Sequence, residues 1–262
     1  MQFNTRDLKT LQLQGSSKGN QRKWFSIEKN IFVKEQFYYQ DKYWKDYMVE
    51  AISSEIGLQM ELFDIEVLQQ KICKIIDGNA VTYGVYSPLF GNGKRFLSYH
   101  RLLGLNNRFF QEMDSIENKW NNVLRDIEEI TGLNYENYLL IMSIIDYLVG
   151  NEDRHLNNFG VLVDENGDYS IPPLFDFGLG LFEHDRIYEG LPFRECIENM
   201  QCKPFSLQNQ EVIDYLQTRY DLKKFFKCGK IDLSNCEIPS LKAGSYLRNR
   251  CMHLGIELKG VE

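Results

Sequence analysis

The feature that most constrains the fold is the segment Glu136–Val149, which is apolar on nearly every side of a helix. Its apolar side chains include Leu139, Leu140, Met142, Ile144, Ile145 and Leu148. A helix with apolar residues all round is buried inside a protein, and the Gly150 that follows is typical of a helix end. The chain has 262 residues, of which 43% are hydrophobic, so it can build a core around such a helix.

The residues after this helix are polar and contain a pattern that fits phosphoryl transfer. Asp153 and Asn158 lie five positions apart, and Asp176 opens an Asp-Phe-Gly turn further along the chain. In protein kinases a catalytic Asp and a metal-binding Asn have this spacing, and an Asp-Phe-Gly turn supplies a second metal ligand. Carboxylate and amide oxygens are also the ligands that Mg²⁺ prefers. The pattern therefore predicts Asp153 as the catalytic base, with Asn158 and Asp176 as ligands of the Mg²⁺ that accompanies ATP.

Hydrophobic periodicity divides the chain into a strand-rich first third and a mostly helical remainder. In the first third, strands are predicted at Trp24–Ile27, Asn30–Phe37, Met60–Val67 and Val81–Ser87, with a helix at Tyr43–Ile56 that Gly57 ends. Beyond Phe90, further helices are predicted at Ile116–Ile130, Leu207–Tyr220 and Pro239–Leu254, and a hairpin at Phe159–Val163 and Ile171–Phe175. We therefore expect an α+β fold with two lobes. The small strand-rich lobe is predicted over residues 1–90 and the larger helical lobe over residues 91–262.

A phosphate site in the first lobe needs a cation, and Lys34 is the candidate. It lies in an apolar strand, where a lysine is unusual unless it has a partner. Glu50, on the next predicted helix, is the expected partner. Glu55 on the same helix is the alternative, although it could equally be a surface charge. Lys34 and Glu50 are thus predicted as a pair on the phosphate side of an ATP site.

A short loop ahead of the first hairpin is the candidate for covering the phosphates of ATP. It comprises Gly15, Ser16, Ser17, Lys18, Gly19 and Asn20. Successive backbone N–H groups in such a loop can bind phosphate oxygens. The loop lacks the Walker pattern, and a flexible turn without a ligand is the alternative interpretation.

Together these motifs resemble the HipA-type serine/threonine kinases, which have an Asp-x-His-x-x-Asn catalytic loop and a later metal-binding Asp after Pro-x-(Phe/Tyr). Phosphoinositide kinases are similar more distantly, since they have Asp-Arg-His-x-x-Asn followed by Asp-Phe-Gly. The resemblance covers roughly residues 12–180 and includes the Gly-Ser loop, Lys34, the helix motif Glu50–Gly57 and Gly84–Ser87. It implies a two-lobed, protein-kinase-like fold and an ATP- and Mg²⁺-dependent protein serine/threonine kinase.

The resemblance also implies roles for residues beyond the main pattern. The hinge that contacts adenine is expected near Ser87 and Leu89, and Ser16 or Ser17 in the phosphate loop is the candidate site of autophosphorylation. Independently of the resemblance, His155 is grouped with the catalytic residues because it lies next to the predicted base, where we expect it to support the loop by hydrogen bonding and not to transfer a proton.

The chain departs from the family at two points. Asn157 stands where many members have Lys, which leaves one phosphate contact missing or supplied elsewhere. The chain also begins almost at the phosphate loop. An antitoxin-like regulatory partner is therefore compatible with the resemblance, whereas docking to a DNA-binding antitoxin is not assumed.

Two other functions remain open, and the phosphate acceptor is not specified by the sequence. A lipid or small-molecule kinase is the first, but Glu183–Arg186 is mixed in charge and unlike a basic segment that binds inositol phosphates. An ATP-binding pseudokinase acting as a regulatory partner is the second. Its expected mark is the loss of a catalytic or metal-binding residue, and Lys34, Asp153, Asn158 and Asp176 are all present.

Composition limits the partners and the location. The net charge of −7 argues against direct nucleic-acid binding over a broad face. No apolar run has the length of a membrane span, and the first residues lack the layout of a secretory signal. The six cysteines form no C-x-x-C pair, so we expect reduced thiols, no structural metal and a cytoplasmic protein.

Overall fold

The computed structural model describes residues 1–10, 21–61, 63–91, 93–104, 115–205 and 208–261. The strands are β1 (Gln2–Asn4), β2 (Lys9–Thr10), β3 (Lys23–Ser26), β4 (Ile31–Glu35), β5 (Tyr38–Tyr39), β6 (Lys42–Tyr43), β7 (Lys71–Asp77), β8 (Ala80–Pro88), β9 (Arg95–Ser98), β10 (Gly160–Val163), β11 (Tyr169–Ser170), β12 (Lys230–Asp232) and β13 (Glu257–Lys259). The helices are α1 (Asp46–Leu58), α2 (Tyr99–Leu103), α3 (Ile116–Thr131), α4 (Glu136–Val149), α5 (Phe193–Asn199), α6 (Asn209–Gln217) and α7 (Leu241–His253). The predicted α+β class, with strands first and helices after them, is confirmed.

The N-terminal strands form a six-stranded sheet in the order β1-β7-β8-β4-β3-β2. Its strand pairs are antiparallel, except that β1 runs parallel to β7. Side chains alternate between the two faces of a strand. On β4, Val33 therefore packs into a small core with Trp24 and Ile75, while the neighbouring Lys34 faces the opposite side, toward α1. This alternation fixes the position of the predicted phosphate-site lysine.

Helix α4 has the buried environment that its sequence predicts. Every residue from Tyr138 to Val149 is buried, and α1, α6 and α7 contact the helix. Gly150 ends it with a φ of 61°, a left-handed conformation that glycine adopts without strain. Since the loop that contains Asp153 begins here, the core of the larger lobe fixes the start of that loop. Within the described ranges, no helix is long and apolar enough to cross a membrane.

The other long helices correspond to the predictions with shifted ends. Ile116–Ile130, Pro239–Leu254, Leu207–Tyr220 and Tyr43–Ile56 were predicted, and they match α3, α7, α6 and α1. The predicted start of α6 at Leu207 lies outside the described residues.

The strand predicted at Met60–Val67 is wrong. The described residues of that stretch make two isolated bridges to the helical part of the chain. The strand that precedes β8 in the chain and pairs with it is β7. On β7 the buried side chains are Cys73 and Ile75, and the exposed Lys71 and Lys74 interrupt its apolar pattern. The stronger apolar pattern of Met60–Val67 arises because this stretch packs on the helical core.

Two turns near the site also differ from the prediction. Gly57 does not end α1, which continues to Leu58. A Cβ at position 57 would lie 2.6 Å from Cγ2 of Val67. The glycine is required by this close approach. The second hairpin strand is the short β11 and not Ile171–Phe175, which leaves the sheet and forms an isolated bridge to Val67. This departure carries the chain from the hairpin to Asp176.

Candidate active site

Lys34 connects three elements at the interface between the sheet and the helical core. Its Nζ donates to Oε1 of Glu50 at 2.7 Å and to Oδ1 of Asp176 at 2.8 Å. The second oxygen of Glu50, Oε2, accepts the backbone N–H of Phe177 at 3.0 Å. Strand β4, helix α1 and the Asp-Phe-Gly turn are therefore held together by one buried lysine and one buried glutamate. The predicted pairing of Lys34 with Glu50 is present, whereas Glu55 accepts a hydrogen bond from Gln59.

The charges of this cluster reinforce one another. Burial alone would lower the pKa of Lys34, but the carboxylates of Asp176 and Glu50 raise it above its usual value. Burial alone would raise the pKa of Asp176, but the positive charges of Lys34 and Lys23 hold it below its usual range. Asp176 is therefore a carboxylate at neutral pH, which is the form that a metal ion requires.

The backbone of the Asp-Phe-Gly turn is shaped by the same contacts. Asp176 has a φ of 64°, a left-handed conformation that costs a non-glycine residue about 1–3 kcal/mol. A Cβ at Gly178 would lie 3.0 Å from Oε1 of Glu50, so the glycine permits Glu50 to approach. Strained positions that surrounding contacts maintain are concentrated at functional sites.

Asp153 and Asn158 lie in one loop closed by its own hydrogen bonds. Nδ2 of Asn158 donates to the backbone oxygen of Asp153 at 2.9 Å, and the N–H of Asp153 donates to Oδ1 of Asn151 at 3.2 Å. Because the amide nitrogen of Asn158 is used inside the loop, its side-chain oxygen is the end left for a cation. The side chain of Asp153 is 33% exposed, so its carboxylate can meet a substrate.

His155 lies next to Asp153 in the same loop. Its Nδ1 accepts the N–H of Asn157 at 3.2 Å, so the neutral ring carries its proton on Nε2. That nitrogen lies 3.8 Å from Oδ2 of Asp153. His155 therefore lies beside the Asp153 carboxylate without a direct hydrogen bond to it, and its predicted supporting role stays a prediction.

Arg154 is a central residue that sequence reasoning missed. It is 1% exposed, and its Nε and Nη2 donate to the two carboxylate oxygens of Asp146 on α4, each at 2.9 Å. Its Nη1 donates to the backbone oxygens of Asn158 at 3.1 Å and of Phe175 at 2.8 Å. One guanidinium therefore fixes the backbone beside both predicted Mg²⁺ ligands. The sequence signal that could have indicated this role was Asp146. A carboxylate within a mostly apolar helix needs a buried partner.

Lys23 is a second missed residue of the site. It lies on β3 directly opposite Lys34 in the β3–β4 pair and is partly buried. Burial, followed by the charge of Lys34, lowers the pKa of Lys23, while Asp176 and Glu50 act in the opposite direction. In the described part of the chain it makes no hydrogen bond or ion pair. A partly buried ammonium group next to the Lys34 cluster is suited to an anionic ligand.

The predicted hinge lies at the end of β8. Ser87 is buried in the strand opposite Phe32, and the N–H of Leu89 donates to the backbone oxygen of Asn30 at 3.2 Å. The Leu89 donor is therefore already used within the protein. The next residue, Phe90, is aromatic, and its ring stacks on the ring of Phe175 with a centroid distance of 5.3 Å.

The phosphate-loop residues Gly15, Ser16, Ser17 and Lys18 lie outside the described residues. The remaining donor set fits a nucleotide with its metal. Asp176 and Asn158 offer hard oxygen ligands of the kind that Mg²⁺ binds, and Lys34 and Lys23 offer two cations for phosphates. The side chain of Asp176 is 35% exposed, which leaves it accessible to such a ligand.

No protein-family model and no curated protein sequence matches the chain. Among solved structures, the chain is similar to the Helicobacter pylori proinflammatory kinase CtkA, with a TM-score of 0.57 and 16% sequence identity. The alignment covers 97% of this chain and 94% of that chain. This chain has a kinase-like fold. The two-lobed kinase-like architecture expected from the motifs is confirmed over almost the whole length, although a likeness at this identity concerns the fold and not the substrate.

Proposed function

We propose that the protein is an ATP- and Mg²⁺-dependent phosphotransferase that transfers the γ-phosphate of ATP to a hydroxyl group. The observation that carries the proposal is the double contact of Lys34 Nζ with Glu50 and Asp176. The kinase mechanism requires an ion pair between a strand lysine and a helix glutamate, and this contact also brings that pair to the Asp-Phe-Gly turn. The kinase-like fold supports the same conclusion.

In the proposed reaction, each residue has a distinct task. Asp176 and Asn158 would hold Mg²⁺, which would neutralise charge on the phosphates. Lys34 and Lys23 contact phosphate oxygens. The acceptor hydroxyl oxygen forms a bond to the γ-phosphorus while the bond from phosphorus to the bridging oxygen breaks, and ADP leaves with the electron pair. The hydroxyl proton passes to the carboxylate of Asp153.

Adenine is proposed to lie beside the aromatic pair Phe90 and Phe175. Phe175 directly precedes Asp176, so this surface is one residue from the proposed metal ligand. Because the N–H of Leu89 is used by Asn30, we expect stacking and other backbone groups, rather than that donor, to hold the base.

The acceptor is proposed to be a serine or threonine of a protein, as the resemblance to HipA-type kinases implies. Ser16 and Ser17 are the proposed autophosphorylation sites, and an antitoxin-like protein remains a proposed regulatory partner. Peptide mapping after treatment with ATP and Mg²⁺ tests the first point, with Asp153→Asn as the inactive control. Active enzyme that carries no phosphate on either serine contradicts self-phosphorylation in this loop.

The acceptor class is tested by incubating the protein with γ-labelled ATP and Mg²⁺, alone and with cell lysate, and separating protein, lipid and small-molecule fractions. We expect label in the protein fraction, on serine or threonine. Label in lipid or in small molecules instead identifies the alternative acceptor. Binding of ATP without any transfer identifies an ATP-binding pseudokinase.

A further inference from the structure

We propose that Lys203 is a catalytic residue whose ammonium group contacts the transferring phosphoryl group from the Asp153 side of the cleft. The proposal rests on the proposed function and extends it to a residue far outside the loop motifs. Lys203 lies forty-five positions after Asn158 in the sequence, between α5 and α6.

The geometry directs Lys203 at the proposed base. Its Nζ lies 3.6 Å from Oδ1 of Asp153, and its side chain is 52% exposed. Among the described residues, Lys203 and His155 are the side chains with a potential positive charge within 4.0 Å of the Asp153 carboxylate. In the same described set, the ammonium makes no hydrogen bond. Its three N–H donors are therefore available to a ligand next to Asp153.

Most exposed ion pairs contribute little, because two long side chains must be held in one geometry. Here the backbone around Lys203 is fixed independently of the pair. The N–H of Gln201 donates to Oε1 of Glu152 at 2.7 Å. Glu152 directly precedes Asp153 in the sequence. Cys202 and Phe205, on the two sides of Lys203, are buried. The segment is thus held against the catalytic loop while the lysine side chain stays accessible.

The charges around Asp153 explain why a cation is needed on the acceptor side of the site. Lys34 is bound to Glu50 and Asp176 on the metal side, and Arg154 is buried behind the loop. On the acceptor side the Asp153 carboxylate faces an incoming group that carries several negative charges. Cations that contact the equatorial oxygens stabilise such a transition state. In the proposed step Lys203 keeps its proton and only neutralises charge, while the hydroxyl proton still passes to Asp153.

The test compares Lys203→Met, Lys203→Arg and a matched surface variant, Lys224→Met. Lys224 is 79% exposed and pairs with Asp221 on the surface, so its removal controls for the loss of one charge. Removing a donor to a transition state typically costs about 10²–10³ in kcat. Since Lys203 is half exposed, we expect a loss of about 10–100-fold for Lys203→Met.

A second readout separates catalysis from folding or ATP binding. Affinity for Mg²⁺ with ATP is expected to change less than about twofold in Lys203→Met. Affinity for ADP with Mg²⁺ and aluminium fluoride, which mimics the transferring phosphoryl group, is expected to fall about tenfold or more. Lys203→Arg is expected to recover most of both losses, and the unfolding midpoint is expected to stay the same.

Wild-type activity, or increased activity, in Lys203→Met overturns the role of Lys203 and leaves the proposed function intact. Equal weakening of ATP and of the aluminium fluoride complex also overturns it, since the lysine would then only bind the ground state. A wild-type protein that binds no ATP and transfers no phosphate overturns the proposed function, and the role of Lys203 with it.

Discussion

Replacing Arg154 by methionine removes a cation that joins α4 to the backbone of Asn158 and of Phe175. Four hydrogen bonds are lost, two to the carboxylate of Asp146 and two to the backbone oxygens of Asn158 and Phe175. The main consequence is that Asp146, which is 4% exposed, becomes a buried charge without its partner. Breaking a buried pair in this way costs about 3–5 kcal/mol, a large part of the roughly 5–15 kcal/mol that stabilises a typical domain.

The experiment is a double-mutant cycle measured by urea unfolding. Its members are Arg154→Met, Asp146→Asn and the double variant. Asparagine at position 146 removes the charge but keeps an oxygen that can accept the hydrogen bond from Nδ2 of Asn151. We expect the double variant to be more stable than the sum of the two losses by at least about 2 kcal/mol. Additive losses within about 0.5 kcal/mol would falsify the argument that the two charges compensate each other.

The same variant probes the site itself. If Arg154 fixes the backbone beside Asn158 and Asp176, Arg154→Met is expected to lower kcat in conditions where the protein is fully folded. Circular dichroism and calorimetry establish the folded fraction before activity is measured. Full kcat in folded Arg154→Met contradicts a positioning role.

Three further predictions concern the Lys34 cluster and its surroundings. Glu50→Ala is expected to lower kcat/KM nearly as much as Lys34→Ala, with little further loss in the double variant, whereas fully additive losses would show that the two act separately. Asp176→Asn is expected to abolish most of the Mg²⁺ dependence of ATP binding in calorimetry with Mg²⁺ or EDTA; the same dependence in both proteins rules Asp176 out as a ligand. Burial raises the pKa of Asp46 from 3.8 to about 7, so folding favours its protonated form. Its contribution to stability is full below pH 3.8 and is lost as pH rises through about 7. Relative to Asp46→Asn, the wild type should therefore lose up to about 4 kcal/mol of unfolding free energy between these limits, and parallel pH profiles would contradict the shift.

The parts of the site that could be predicted from the sequence are those encoded by short-range patterns. Asp153, Asn158 and Asp176 have the spacing that predicts a kinase catalytic loop and an Asp-Phe-Gly turn, and α4 is recognisable because it is apolar nearly all round. Lys34 was identified because a lysine in an apolar strand needs a partner, and Glu50 proved to lie 2.7 Å from it.

The remaining residues depend on tertiary structure. Arg154 adjoins Asp153 in a polar loop, and nothing local shows that it is buried against Asp146. Lys23 reaches the site through the pairing of β3 with β4, and Lys203 through the hydrogen bond between Gln201 and Glu152. Strand β7 was missed because only Cys73 and Ile75 of its seven residues are buried, and the exposed Lys71 and Lys74 interrupt its apolar pattern. The stretch Met60–Val67 is apolar because Met60, Ile65 and Val67 pack on the helical core.

In the proposed reaction, Asp153 accepts the hydroxyl proton during transfer of the γ-phosphate of ATP. The most direct measurement is the initial rate of γ-phosphate transfer in Mg²⁺ by wild type and by Asp153→Asn, with ATP affinity determined on the same samples. Loss of a general base lowers the rate by about 10²–10⁴-fold, and ATP affinity is predicted to stay within about threefold, because Asp153 is not assigned to the metal. Equal transfer rates in the two proteins would show that Asp153 is not the base, and a wild type that binds ATP and transfers phosphate to no acceptor would show that the protein is not a phosphotransferase.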